Sequence, residues 1–137
     1  SRRRHTRFNC VTGVQTCAFR SDEGRQRQAA LLAFSAFSEL KHVMLVDEDV
    51  DVFDINDVMW AMTTRYQGDV STIFIPGVRC HPLDPSSDPA FSPSILGHGI
   101  ACKTIFDCTV PWNLKENFQR SKFLEVDVNR FIPGFKK

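Results

Sequence analysis

The run Lys41-His42-Val43-Met44-Leu45-Val46-Asp47-Glu48-Asp49-Val50-Asp51-Val52-Phe53-Asp54 passes abruptly from apolar side chains to carboxylates. An apolar block ending in acids reads as a buried strand that delivers them to the carboxyl edge of an α/β sheet, where such folds place their ligands. Asp47, Asp49 and Asp51 cannot all stay charged in a dry core, since each buried unpaired carboxylate costs several kcal/mol. They must meet water, a cation or basic partners.

Outward from this strand, Ala30, Phe34, Phe37 and Leu40 fall three and four apart, which predicts a helix over 22–40. On the other side, Asp54 is placed to cap a second helix. Asp57 in its first turn is favoured by the dipole, Ile55, Val58 or Met59, and Met62 form its apolar stripe, and Gly68 ends it near Tyr66. The β-branched stretch Val70 to Ile75 predicts a second strand and Ile100 to Phe106 a third, with a turn at Asp107-Cys108-Thr109. A short helix is expected over Leu114 to Phe123. Helix, strand, helix, strand in that order implies an α/β fold with helices packed on a parallel or mixed sheet. Residues 76–99 carry Pro76, Pro82, Pro85, Pro89 and Pro93 and read as a long Pro-rich loop, which is uncommon unless functional, an interface arm or disordered.

A chain of 137 residues with 42% hydrophobic content suits one domain or a fragment of something larger. Its longest apolar stretch, Ala29 to Ala36, is well short of the roughly 20 residues that span a bilayer. Five cysteines without a Cys-x-x-Cys pair suggest neither a disulfide framework nor a zinc ribbon, and a reducing cytoplasm is expected. Cys102 and Cys108 read as small core hydrophobes. The net charge of +1 hides a segregation: residues 1–21 hold five arginines and no acid, leaving 12 basic against 16 acidic residues elsewhere. The body is mildly acidic, and neither nucleic acid nor membrane is an expected partner.

The basic segment has a specific explanation. Val11-Thr12-Gly13-Val14-Gln15-Thr16-Cys17-Ala18 resembles the conceptual translation of a DNA-sequencing adapter, and Phe19-Arg20-Ser21 the same oligonucleotide after a one-base slip. Residues 1–21 are therefore read as an assembly artefact, against a transit peptide or a nucleic-acid arm, with the fold starting near Asp22 and a single domain over 22–137.

An EF-hand fails for the acid cluster, because Val52 stands where the loop needs glycine and Val58 where it needs a bidentate glutamate. A nucleotide-sugar transferase or phosphoryl-transfer enzyme would use Asp47 and Asp49 to hold a divalent cation at the sheet edge. The plainer alternative is a loop and helix-cap network in which the acids pair with Lys41 or Arg65. A non-catalytic interaction domain is a third class. Lys41, just before the strand, either reaches a phosphate as a point charge or is an exposed helix-end lysine. His42, His81 and His98 are too scattered for a metal site, although His98 between two glycines could approach a ligand.

Val46-Asp47-Glu48-Asp49-Val50-Asp51, Trp60-Ala61-Met62-Thr63-Thr64-Arg65, Leu83-Asp84-Pro85-Ser86 and Lys103 to Thr109, taken in register, resemble the carboxyl-terminal domain of UbiD-type decarboxylases from about Lys41 to Pro111. The stretches from Pro76 to Pro85 and from Asp107 to Trp112 are most similar to members acting on hydroxylated aromatic acids such as 4-hydroxybenzoate or gallate, with Cys108 where many relatives carry alanine. The resemblance implies non-oxidative, reversible decarboxylation of an aromatic carboxylic acid assisted by prenylated FMN, with Mn²⁺ or Mg²⁺ and K⁺. It further implies a flavin prenyltransferase that supplies the cofactor and a homo-oligomeric full-length protein. The family's catalytic arginine, two catalytic acids and metal ligands lie upstream of the part present here. Catalytic and metal residues are therefore assigned to none of these positions, and the chain alone is expected to be inactive. Lys41 matches a family lysine that approaches the cofactor phosphate. The acid cluster, in this light, reads as structural, and Trp60 as a core residue.

Overall fold

The computed structural model describes residues 11–16, 24–120 and 131. Strand β1 (Val11–Thr16), helix α1 (Arg25–Ala36), strand β2 (His42–Asp47), helix α2 (Ile55–Arg65), strand β3 (Thr72–Arg79) and strand β4 (Ile100–Asp107) follow in that order, with 3-10 turns at Pro85–Ser87 and Trp112–Phe118. The sheet is mixed, in the order β1-β2-β4-β3, with β2 parallel to β1 and β4, and β3 antiparallel to β4. The expected α/β class is what the chain adopts.

β2 explains the layering. Alternate side chains of a strand face opposite sides, so Val43 and Leu45 join Ala30, Phe34, Leu40 and Ile105 under α1, while Met44 and Val46 join Val50, Val58, Ala61 and Cys108 under α2. Each of the Val, Leu, Ile, Met and Phe side chains among them is worth roughly 1.5–3 kcal/mol when fully buried. A strand buried on both faces also needs hydrogen-bonding partners along both edges. β4 serves one edge. β1 serves the other, pairing in register from Val11 with His42 to Thr16 with Asp47. The sheet thus begins before Asp22, in the segment that the sequence leaves outside the fold.

Three element boundaries and one buried stripe differ from expectation. α1 stops at Ala36, where Phe37 turns to extended backbone; Phe37 is exposed, and Leu40 reaches the core through a turn in which its N–H bonds the Phe37 carbonyl at 3.1 Å. The helical spacing of these two residues is coincidental. Asp54 caps α2 as expected, its carboxylate accepting from Asn56 N at 2.9 Å, but the buried stripe is Val58 and Ala61, with Ile55 and Met59 exposed. β3 continues past Ile75 through Pro76 and Gly77 to Arg79, with an irregularity of pairing between Ile75 and Val78 and Gly77 at φ +70°. An outer strand tolerates proline at such a bulge because the missing N–H faces no partner strand. The expected helix over 114–123 is a 3-10 turn ending at Phe118, and 121–123 lie outside the described residues.

Candidate functional site

Two clusters of charge sit at opposite ends of the central strands. At the carboxyl edge, Asp47 closes β2 and Arg65 closes α2. The Arg65 guanidinium donates to Asp47 Oδ2 at 3.1 Å and to both oxygens of Asp49, and Val110 N donates to the same Asp47 oxygen at 2.9 Å. The side chains of Arg65 and Asp47 are only 2% and 4% exposed, whereas Asp49 is 47% exposed. Burial therefore raises the Asp47 carboxyl above the usual aspartate range, against the pull of Val110 and Arg65; the hydrogen bonds from Arg65 hold Asp49 below it. Asp51 N and Arg120 both donate to Asp57, which is lowered first by the Asp51 backbone bond. Trp60 is half-buried and packs against the core under α2, with the Arg120 and Arg65 guanidiniums 3.9 and 4.9 Å from its ring centre.

Arg65 thus stands where a divalent cation would have to bind, which corrects the reading of Asp47 and Asp49 as cation ligands. Among the described residues, no group of three His, Cys, Asp or Glu side chains is arranged to hold a metal. A cleft of about 600 Å³ does run along this edge, lined by Arg27, Arg65, Gln67, Asp107, Thr109 and Trp112. Its charges are matched internally, Arg27 Nε lying 3.0 Å from Asp107 Oδ2.

At the amino edge, Lys41 precedes β2. Its ammonium donates to Asp84 Oδ2 at 2.8 Å and to Ser86 Oγ. Asp84 caps the 3-10 turn Pro85–Ser87, its other oxygen accepting from Ser86 N at 3.0 Å and Ser86 Oγ at 2.8 Å. Burial pushes the Asp84 carboxyl up, yet the bonds from Lys41 and Ser86 outweigh it and hold the group below the usual range. The Lys41 side chain is 19% exposed, and two of its three N–H donors are used. One N–H is left to meet an anion, so the residue suits a phosphate oxygen.

Lys103 is a feature the sequence did not flag. Only 1% exposed on β4, its ammonium donates to Ser38 O at 2.7 Å and sits 5.1 Å from the Phe34 ring centre; burial lowers its pKa. Cys108 is a core thiol as expected, pushed up to about 11 by burial, but Cys102 is exposed. His42 packs against Phe106 with the rings tilted by 57° and their centres 5.7 Å apart, His81 lies 3.7 Å from Glu39, and His98 is exposed.

The domain is thus an α/β unit with an arginine-locked acid loop and a lysine clamped at the sheet's amino edge. Residues 4–108 match the family model for the 3-octaprenyl-4-hydroxybenzoate carboxy-lyase C-terminal domain, and the chain belongs to that UbiD family. It is 56% identical over 107 residues to gallate decarboxylase of Lactiplantibacillus plantarum, covering 77% of this chain and 22% of that protein. The apo structure of 3,4-dihydroxybenzoic acid decarboxylase from Enterobacter cloacae is 58% identical, with a TM-score of 0.79 over 90% of this chain and 25% of that one. The UbiD-class enzyme HmfF of Pelotomaculum thermopropionicum, solved in complex with FMN, is 29% identical with a TM-score of 0.68 over 91% of this chain and 25% of that one. The chain spans about a quarter of the length of these relatives. No helix among the described residues is long and apolar enough to cross a membrane.

Proposed function

We propose that this chain is the carboxyl-terminal part of a non-oxidative, reversible decarboxylase of hydroxylated aromatic acids, of the 4-hydroxybenzoate or gallate type. The observation that carries the reading is the joint likeness, at 56 to 58% identity, to gallate and 3,4-dihydroxybenzoic acid decarboxylases. Prenylated FMN, supplied by a flavin prenyltransferase, carries the electron reorganisation of such a decarboxylation when bound. Lys41 holds a cofactor phosphate by a charge-assisted hydrogen bond. Mn²⁺ or Mg²⁺, K⁺ and the catalytic acids and arginine belong to the part of the protein outside this chain, and the whole protein assembles as a homo-oligomer in the cytoplasm. What the described residues contribute is a rigid sheet edge that presents one ammonium at a fixed place.

Decarboxylation needs a proton donor and the reactive ring of the cofactor against the carboxylate, and a misplacement of about 1 Å can cost roughly a hundredfold. The purified 137-residue chain mixed with prenylated FMN, manganese and potassium is therefore expected to release no carbon dioxide from 4-hydroxybenzoate or gallate. Joined to the upstream portion of a full-length relative, it is expected to be active. Turnover by the isolated chain above a heat-killed control, or a soluble, flavin-loaded but inactive fusion, would overturn the proposal. In that full-length form Lys41→Ala should lower flavin affinity at least about tenfold, as loss of one charged hydrogen bond does. Flavin absorbance after desalting measures it.

A further inference from the structure

We infer that Asp84, together with Ser86, positions the Lys41 ammonium for the cofactor phosphate, an inference that rests on the phosphate role of Lys41 proposed above. The lysine backbone is fixed first. Thr104 N donates to Lys41 O at 3.1 Å, and the parallel register of His42 with Thr104 sets Lys41 beside β4. A lysine side chain then has four rotatable bonds left, and an unrestrained ammonium at a strand end would sample many positions. Asp84 Oδ2 and Ser86 Oγ remove that freedom by taking two of its donors.

The acceptors are themselves immobilised by bonds that do not involve Lys41. Asp84 N donates to His81 O at 3.1 Å, Ser87 N and Ser87 Oγ donate to Asp84 O at 3.0 and 2.8 Å, and Pro85 stiffens the turn between them. Ser87 is fully buried, and its Oγ accepts from Gly99 N at 3.4 Å. Gly99 O in turn accepts from Cys80 N at 2.7 Å, so both ends of the Pro-rich segment are tied under the clamp. Gly99 lies at φ +75°, and a Cβ there would stand 3.4 Å from Pro82 Cα, so a larger residue would disturb this tie.

A carboxylate beside a phosphate-binding lysine would ordinarily weaken anion binding. Here the other Asp84 oxygen is taken by Ser86 N and Ser86 Oγ, so part of the carboxylate's charge is engaged by the turn rather than directed at an anion. Ordering one long side chain in advance saves the binding step about two- to tenfold in affinity. Asp84 is thus a positioning residue that acts through Lys41.

The test has two readouts. In the 137-residue chain, the Lys41 side-chain amine is followed by ¹⁵N NMR; its ordered signal should be lost in Asp84→Ala and only weakened in Asp84→Asn, whose single amide oxygen can serve the Lys41 ammonium or the Ser86 N–H but not both. In the full-length form, flavin affinity should fall about two- to tenfold in Asp84→Ala, fall less in Ser86→Ala and in Asp84→Asn, and show no further loss when Asp84→Ala is added to Lys41→Ala. Unchanged or tighter flavin binding in Asp84→Ala while Lys41→Ala weakens it overturns the positioning role and leaves the lysine's role standing. Lys41→Ala without effect overturns both. Additive losses in the double variant also overturn the inference, as they mark a general loosening of the loop; Ser86→Ala, which leaves the turn's cap intact, separates that case from the clamp.

Discussion

The acid-rich carboxyl edge and the lysine-bearing amino edge are both built from ion pairs, yet the first is closed and the second is open. At Asp47 and Arg65 the charges are buried and turned on each other, whereas Lys41 keeps one N–H and a fifth of its surface free. The difference teaches that charge density does not locate a site; an unused donor that a ligand can reach does, since Asp47 Oδ1 and Arg65 Nε are also without partners but are buried. Asp47 and Asp49 serve here to fasten a helix end to a strand end, and one lysine with a partner 43 positions away is the group with something left to offer.

The strongest way to break this contrast is to open the closed edge. Arg65→Ala strands Asp47 in a pocket where only Val110 N still reaches it, and removing one partner of a buried pair costs about 3–5 kcal/mol. Lys41→Ala, by contrast, removes a pair that water can partly replace and should cost no more than about 1 kcal/mol. Urea melts of the two variants side by side measure both. Equal losses would mean that the two edges are alike.

Next in size is removal of the residues before Asp22. It takes away β1 and leaves one edge of β2 without backbone partners. A loss of about 1–2 kcal/mol, or several degrees in Tm, is expected. A melting temperature unchanged within a degree or two would show that the edge pairing adds nothing, in keeping with an adapter-derived segment.

The smallest effect tests the acid loop by pH. Asp49, Asp57 and Asp84 have folded pKa values depressed below the ordinary 3.8, so each contributes stability that is present above that value and lost as pH falls through the lower folded one. Asp47 is raised and acts oppositely, losing stability as pH rises from the ordinary value through its folded one. Asp49→Asn should therefore shallow the acid limb of the stability curve below about pH 4 while costing no more than about 1 kcal/mol at pH 7, the group being half exposed. A steeper acid limb would assign the dependence to another pair.

The parts of this molecule that sequence reveals are those governed by neighbours in the chain. β2 declares itself because burial on both faces demands an unbroken apolar run, and Asp54 declares α2 because a cap bonds an amide two residues on. The apolar stripes were misplaced wherever tertiary packing chose among candidates a few residues apart, as with Ile55 and Phe37. β3 runs past Pro76 where the sequence alone predicts an end, since proline signals an end unless the strand is an outer one. Arg65 was one of two basic partners open to the acids, and the fold selects it because α2 ends where β2 ends. The Lys41–Asp84 pair lay beyond any local rule, and so did the buried Lys103. The Asp-Pro-Ser turn was visible as a motif, but its target was not.

The kink at Pro76 and Gly77 bears on how copies of this domain keep apart in a crowded solution. β3 is an outer strand, and a straight one would offer passing chains a continuous ladder of unpaired amides on which to add another strand. Between Ile75 and Val78 that ladder lacks a rung, because Pro76 has no N–H and Gly77 swings the backbone to φ +70°. An incoming strand could lay down a few bonds on either side of the gap but would meet a break there, which opposes edge-to-edge growth beside the exposed Phe74.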